Sequence, residues 1–112
     1  IENDKVLYRL AELKKVKAAI RFISFEPLIG PVGKVNLRGI HWAIVGGESG
    51  KYHRPIKKEW VYEIKRQCRK YNVAFFFKQW GGLTSKSGGR ILDNRTYDEY
   101  PEINENLLEV KI

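Results

Sequence analysis

The sequence predicts an α/β protein with a parallel sheet of three to four strands. Two observations favour this class. Helical and strand patterns follow one another as helix, strand, connector, strand, helix, strand, an order typical of α/β proteins. The three predicted strands are near-continuous apolar runs rather than in-out alternations, which is typical of parallel strands covered on both faces.

Two segments have the spacing of amphipathic helices. Residues 4–16 carry apolar side chains at helical intervals, and Asn3 or Asp4 is placed to cap them. Residues 57–71 form the clearest helix, which we expect to end at Asn72 because asparagine tolerates the left-handed conformation. The apolar stripe of this second helix consists of Val61, Ile64, Cys68 and Tyr71.

Three strands are predicted at residues 20–25, 41–46 and 73–78, where β-branched and aromatic residues are concentrated. A further short strand is expected within residues 90–97, and the chain beyond Pro101 is acidic and weakly patterned. These assignments divide the chain into two parts that pack together. Residues 1–82 carry the predicted sheet, and residues 83–112 form a Gly/Ser loop with an acidic extension that packs on the same domain.

Length and composition restrict the class of protein. With 112 residues the chain has room for one domain, and its single cysteine excludes an internal disulfide or a multi-cysteine metal site. Two histidines without a local cluster of ligands give no reason to expect a metal. No apolar run approaches the roughly 18 residues of a membrane span. We therefore expect a cytoplasmic protein without membrane contact and, because the chain has no methionine, a piece of a longer one.

The net charge of +8 is unevenly distributed. Residues 1–80 contain 17 basic and 7 acidic residues, a balance of +10, whereas residues 81–112 have a balance of −2. A basic body attracts polyanions, so nucleic acid is an expected partner, with ordinary solubility charge as the alternative explanation. The cations expected to contact phosphates lie on the second helix, and they are Lys58, Lys65, Arg66 and Arg69.

Polar side chains directly follow each of the three predicted strands. In chain order they are Glu26, Glu48, Ser49, Lys78, Gln79 and Trp80. Right-handed crossovers bring the carboxyl ends of parallel strands to one edge of the sheet, so we expect these side chains to converge there. Both barrels and open parallel sheets bind their ligands at that edge.

The residue types at this edge indicate a catalytic set and a binding set. Glu26 and Glu48 are candidates for acid–base work, and Lys78 is a candidate for neutralising an anionic group. The alternative is structural: the carboxylates cap loop amides or form an ion pair with Lys78. The expected substrate-binding residues are Ser49, Arg54, Gln79 and Trp80. Among them, Gln79 offers amide hydrogen bonds to a base or sugar, and Trp80 offers a stacking surface unless it belongs to the core.

Taken in order, four motifs resemble one family. They are FISFEPLIGPV, then WAIVGGESG, then RP with a helix carrying W and QC, then FFFKQWGG. This series resembles the phage- and prophage-associated gp-thirty-seven/gp-sixty-eight family of uncharacterised function, over about Ile1 to Gly82. Members of that family look like radical S-adenosylmethionine enzymes built on a barrel, with a cysteine cluster near the N-terminus that would hold a [4Fe–4S] cluster.

The resemblance implies that residues 1–82 are the C-terminal part of such a barrel, a partial (βα) barrel-like unit. The basic body, together with Lys78, Gln79 and Trp80, adds the expectation of a nucleic acid or nucleotide-like substrate. The cofactors S-adenosylmethionine and [4Fe–4S] are implied for a full-length parent only, because this chain lacks the cysteine cluster. On its own the chain is then expected to be inactive. Two alternatives stay open: a basic module that binds nucleic acid without catalysis, and an interaction module that self-associates through an open sheet edge.

Overall fold

A parallel sheet of four strands organises the chain. The computed structural model describes residues 1–14, 20–84, 86–101 and 109–111. The strands are β1 (Ile20–Phe25), β2 (Trp42–Gly46), β3 (Ala74–Gln79) and β4 (Glu109–Lys111). Their order across the sheet is β3-β2-β1-β4, and every neighbouring pair is parallel. The predicted α/β class and its parallel sheet are confirmed, and the described strands do not close into a barrel.

The chain begins with a short helical segment. A 3-10 turn (Asp4–Val6) leads into the helix α1 (Tyr8–Lys14), and the side chain of Asn3 accepts a hydrogen bond from the backbone N–H of Lys5 at 3.0 Å. Asn3 is therefore the cap, one of the two candidates from the sequence. The prediction of one α-helix over 4–16 needs correction, because its first turn is a 3-10 turn. The last two residues of that range lie outside the described residues.

The second helix, α2 (Lys58–Lys70), connects β2 to β3. Three residues of the predicted stripe, Val61, Ile64 and Cys68, are buried. The fourth, Tyr71, lies just past the end of α2 and packs partly buried against the same core. Asn72 has a φ of 54°, the left-handed conformation that ends a helix. The chain therefore turns at Asn72 and enters β3 two residues later.

The two faces of the sheet differ in how they are covered. On one face, the strand side chains are fully buried in a core shared with α2; they are Ile23, Phe25, Ala43, Val45, Phe75 and Phe77. The opposite face presents the alternate side chains, and Trp42, Ile44 and Phe76 are only half-buried there. The expectation that the strands are covered on both faces is not met within the described residues, which fully cover only the α2 face.

Residues 86–101 pack against α2 and β3. Leu92 and Tyr97 are buried in the core, and the backbone N–H of Phe77 donates to the carbonyl of Tyr97 at 2.9 Å. The short strand predicted within 90–97 needs correction: the chain makes a tight turn there, with Asp93 and Asn94 at φ values of 51° and 65°. Two successive left-handed residues are typical of a hairpin turn, and aspartate and asparagine adopt that conformation more readily than most residues.

The end of the chain contributes a strand that its composition did not indicate. The backbone of β4 pairs in parallel with β1, in the register Ile20 to Glu109. This pairing makes β1 an internal strand and leaves β4 as one lateral strand of the sheet. A segment with weak hydrophobic patterning can join a sheet in this way, because backbone hydrogen bonds form regardless of side-chain pattern.

Candidate functional site

A groove lies at the carboxyl edge of the sheet, where the sequence predicted convergence. It has a volume of about 530 Å³ and follows the ends of β1, β2 and β3. We call it the rim groove, and its lining residues are Glu26, Pro27, Gly47, Glu48, Ser49, Lys78 and Gln79. Five of these, excluding Pro27 and Gly47, are candidates from the sequence, so the order of elements was sufficient to bring them together.

Three side chains in the rim groove contact one another. The ammonium of Lys78 lies 3.2 Å and 3.4 Å from the two carboxylate oxygens of Glu26. The amide Nε2 of Gln79 donates to Oε1 of Glu26 at 3.4 Å and to the backbone carbonyl of Gly47 at 3.3 Å. The contacts with Glu26 join residues more than 50 positions apart in the chain. The groove therefore presents a carboxylate, an ammonium and an amide at one point.

Glu48 is held differently from Glu26. The Nε and Nη2 atoms of Arg54 donate to its two carboxylate oxygens at 3.0 Å and 2.6 Å, and the backbone N–H of Arg54 adds a third bond at 2.9 Å. These hydrogen bonds lower the pKa of Glu48 to about 2. A carboxylate with that pKa stays ionised at neutral pH and is a weak proton acceptor. Arg54 thus orders the turn that carries Glu48.

Glycines allow the loop after β2 and the loop after β3 to meet beside the rim groove. A Cβ atom placed on Gly47 would lie 1.9 Å from the carbonyl oxygen of Trp80, and one on Gly81 would lie 2.4 Å from the carbonyl oxygen of Glu48. The backbone N–H of Gly47 donates to the carbonyl of Gln79 at 2.9 Å across this contact. Only residues without a side chain fit such a close approach of two backbones. The glycines therefore fix the wall of the rim groove.

Trp80 does not line the rim groove. Its indole packs edge-on against Phe77 with ring centres 4.8 Å apart, and its Nε1 donates to the backbone carbonyl of Ile91 at 2.8 Å. It borders a separate depression that also contains Lys58 and Asp93. Of the two roles left open for Trp80, the contacts correspond to the structural one, which ties residues 86–101 to the core.

A second cleft continues from the rim groove along the half-buried face of the sheet. It has a volume of about 340 Å³ and shares Glu26 and Lys78 with the rim groove. We call it the aromatic cleft, and its other lining residues are Phe22, Ser24, Trp42, Ile44, Phe76 and Tyr100. The buried indole Nε1 of Trp42 has no hydrogen-bond partner in the described part of the chain.

The sequence reasoning missed the aromatic cleft, because the strands are near-continuous apolar runs that do not distinguish one face of the sheet from the other. The pairs Phe22 and Ser24, Trp42 and Ile44, and Phe76 and Lys78 occupy alternate positions of their strands, and so point to one face. Burial alternates over the first four residues of β2 and of β3, whereas in β1 the neighbours Phe22 and Ile23 are both buried. The second face therefore became visible only in the structure.

Most of the predicted phosphate-binding cations on α2 are already paired. Arg69 donates to both oxygens of Glu99 at 2.7 Å and 2.6 Å, and Arg66 forms an ion pair with Glu63. Lys65 donates to the hydroxyl of Tyr97 at 2.8 Å and lies 3.4 Å from Asp93. Lys58, the fourth predicted residue, is exposed and borders the depression beside Trp80. The helix surface therefore offers phosphates fewer available charges than its sequence indicates.

The residues present do not fit an iron–sulfur cluster. Such a cluster is held by several thiolates, whereas the one cysteine of the chain, Cys68, is fully buried and burial raises its pKa to about 12. The described residues also contain no group of three or more histidine, cysteine, aspartate or glutamate side chains placed to hold a metal ion. Among the same residues, no helix has both the length and the apolar character needed to span a membrane.

The fold and the rim groove together define a small α/β domain with a polar groove at the carboxyl edge of a parallel sheet. Residues 1–101 match the family described as "Protein of unknown function (DUF5131)", and the chain belongs to that family. Neither a curated protein nor a solved structure gives a significant match.

Proposed function

We propose that the rim groove binds a nucleotide-like substrate, and that the chain is the C-terminal, substrate-binding portion of a radical-SAM-like barrel enzyme related to phage proteins. The observation that carries the proposal is the meeting of Glu26, Lys78 and Gln79 just beyond the ends of β1 and β3. Parallel sheets bind ligands at this edge, because the strand ends and the loops that follow them meet there.

The contacts between Lys78 and Glu26 in the rim groove are better suited to binding a ligand than to stabilising the fold. The Lys78 side chain is 52% exposed, and an exposed ion pair contributes only about 0–1 kcal/mol to folding. An ammonium has three donors, and the contacts from Lys78 to Glu26, at 3.2 Å and 3.4 Å, are long for charge-assisted hydrogen bonds. A ligand can therefore replace these contacts at little cost to the fold.

The proposal assigns different roles to the two glutamates. Glu26 faces both clefts and contacts Lys78 and Gln79, so it binds substrate and is the candidate for proton transfer. Glu48 remains ionised at neutral pH in its pairing with Arg54. Glu48 contributes a fixed negative charge and, through its bonds to Arg54, holds the turn in place. The hydroxyl-bearing Ser49 lies beside it in the groove.

The radical-SAM part of the proposal concerns a longer parent protein. S-adenosylmethionine and the [4Fe–4S] cluster belong to the cysteine-bearing part of that parent, since Cys68 is unsuited to hold a cluster. In this proposal the protein is cytoplasmic, where its nucleotide-like substrate is available.

Calorimetric titration of the chain with nucleoside monophosphates tests the proposal. We expect measurable binding to the wild-type chain and at least about tenfold weaker binding to Lys78→Ala. Lys70→Ala is the matched control, because Lys70 ends α2 just before the start of β3, at the opposite edge of the sheet. The absence of nucleotide binding, or equal losses in both variants, would contradict the proposal.

Two alternative functions follow from other features of the surface. In the first, α2 binds nucleic acid without catalysis, but the pairing of Lys65, Arg66 and Arg69 with carboxylates weakens this alternative. In the second, the chain self-associates through an open sheet edge, for which the short lateral strand β4 is available. Light scattering at several concentrations separates the second alternative from a monomeric ligand-binding domain.

A further inference from the structure

The aromatic cleft and the rim groove form one continuous surface with two kinds of chemistry. Glu26 and Lys78 line both, so the polar contacts of the rim stand at one end of the aromatic cleft. Its other end consists of ring faces and Ile44. A ligand that fills this surface therefore needs a flat apolar body and a polar edge at one end.

Three rings of the cleft contact one another and form an aromatic cluster that stays partly exposed. Trp42 and Phe76 are nearly perpendicular, at 82° with ring centres 6.2 Å apart. Tyr100 packs against both, with its ring centre 5.2 Å from that of Trp42 and 5.7 Å from that of Phe76, while the residue stays 63% exposed. Exposed aromatic faces of this kind stack on nucleobases, since every base has a π-face.

The polar end restricts which heterocycle fits. Glu26 offers two acceptor oxygens, and Lys78, beside it at 3.2 Å, offers donors. A matching ligand edge presents two adjacent donors to the carboxylate and one acceptor to the ammonium. Guanine presents this order along one edge, because its N1–H and 2-amino group donate and its O6 accepts. Adenine lacks the second adjacent donor, and hypoxanthine lacks the 2-amino group.

We propose that the aromatic cleft is a guanine site, in which the base lies against Trp42 and Phe76, its N1–H and 2-amino group donate to Glu26, and its O6 accepts from Lys78. This inference rests on the proposed nucleotide-binding function and adds the identity and position of the base. The volume of about 340 Å³ lies within the usual range of small-molecule pockets, about 300–1,000 Å³.

The test compares three nucleotides on the intact chain. Calorimetric titration with guanosine, inosine and adenosine monophosphate should show guanosine monophosphate binding at least about tenfold more tightly than either of the others. In Glu26→Gln, where one acceptor oxygen becomes a donor, we expect this preference to fall to less than about threefold. Glu59→Gln is the control, because Glu59 is exposed in the first turn of α2 and should leave the preference unchanged.

A second measurement locates the base. Saturation-transfer NMR should give stronger signals for the base proton H8 than for the ribose protons of bound guanosine monophosphate. Phe76→Leu should reduce the H8 signal by more than half, and circular dichroism should verify that the variant is folded. Undiminished H8 transfer in a folded Phe76→Leu variant overturns the assignment of the base to the aromatic cleft.

The outcomes separate this inference from the function on which it rests. Equal binding of all three nucleotides overturns the guanine assignment and leaves nucleotide binding intact. No binding of any nucleotide overturns both. A dimer in light scattering that Trp42→Leu converts to a monomer identifies a second copy of the chain as the occupant of the aromatic cleft, and it also overturns the inference.

Discussion

The guanidinium of Arg54 donates two hydrogen bonds to the carboxylate of Glu48, from Nη2 to Oε2 at 2.6 Å and from Nε to Oε1 at 3.0 Å. The backbone N–H of Arg54 adds a third bond to Oε1. The sequence made both residues candidates for contact with substrate. In the structure, the side chains of Arg54 and Glu48 contact each other. A planar guanidinium matches a carboxylate in this way because its donors form a fixed fork. The pair closes the turn that runs from Glu48 to Arg54 at one wall of the rim groove.

Removal of the guanidinium should raise the pKa of Glu48. In Arg54→Ala we expect a rise from about 2 towards the ordinary value of 4.5, because the hydrogen bonds that favour the ionised carboxylate are lost. Carbon-13 NMR titration of the glutamate side chains measures this shift. Arg38→Ala, at an exposed position in another loop, should leave the titration of Glu48 unchanged. A Glu48 pKa that stays near 2 in Arg54→Ala would show that another group lowers it.

The same pair predicts a pH dependence of stability. The folded-state pKa of Glu48 is depressed, so its contribution is fully present above about pH 4.5 and is lost as the pH falls towards 2. Thermal unfolding across that window should show a steeper loss of stability for the wild type than for Arg54→Ala. Parallel profiles for the two proteins would contradict this prediction.

The close approach at Gly47 predicts a large effect of one methyl group. Gly47→Ala places a Cβ 1.9 Å from the carbonyl oxygen of Trp80, so backbone must move, and we expect a loss of about 3 kcal/mol or more in the free energy of unfolding. Gly30→Ala is the matched control, because its Cβ would meet the Cβ of Asn3 at 3.3 Å, a contact that small shifts relieve. Urea unfolding of the two variants gives the comparison. Equal stability would contradict the described wall of the rim groove.

Cys68 should be unreactive while the protein is folded. Its side chain is fully buried and burial raises its pKa to about 12, so very little thiolate is present at neutral pH. We expect a thiol reagent to modify native protein at least about a hundredfold more slowly than protein in denaturant. The rate should rise with urea in parallel with the unfolding transition. Rapid labelling without denaturant would contradict the burial of this helix face.

Glu99 joins three elements, and its replacement should loosen the contact between them. Its carboxylate accepts from both terminal nitrogens of Arg69 on α2 and from the backbone N–H of Phe75 on β3, and these bonds lower its pKa. Because the pair is partly exposed, we expect Glu99→Gln to cost only about 1 kcal/mol in unfolding free energy. Glu59→Gln, at an exposed site, should cost less than about 0.5 kcal/mol. Equal effects would contradict a role for Glu99 beyond surface charge.

The sequence was sufficient to predict strands β1, β2 and β3 and the convergence of polar residues in the rim groove. Hydrophobic runs located β1, β2 and β3, and their parallel order brought Glu26 close to Lys78. Two features were not predicted. The strand β4 forms through backbone pairing with β1, a tertiary contact that local patterns do not encode. A tight turn at Asp93 and Asn94 replaces an expected strand, and there the preference of these two residue types for the left-handed conformation was a local signal that was missed.

The sequence also did not predict the directions of individual side chains. Position after a strand does not determine which way a side chain points, and Trp80 turns towards Phe77 and Ile91 instead of the rim groove. The surface available for stacking comes instead from Trp42 and Phe76, inside the strands. The direction of a single side chain therefore decides whether a residue packs in the core or lines a cleft.

The two tryptophans Trp80 and Trp42 should therefore respond oppositely to replacement. Trp80→Phe loses the hydrogen bond to the carbonyl of Ile91 and part of the packing on Phe77, so we expect a loss of about 1–2 kcal/mol in stability. Nucleotide binding should be unchanged, because Trp80 lies outside both clefts.

Trp42→Phe should produce the reverse pattern. Its indole Nε1 has no partner in the described part of the chain, so we expect a stability change below about 1 kcal/mol, while the smaller ring reduces stacking area and weakens binding by about threefold to tenfold. Urea unfolding and calorimetric titration on both variants complete the comparison. Weaker binding in Trp80→Phe with unchanged binding in Trp42→Phe would place the base beside Trp80, because stacking energy is lost only where the ligand lies against the replaced ring.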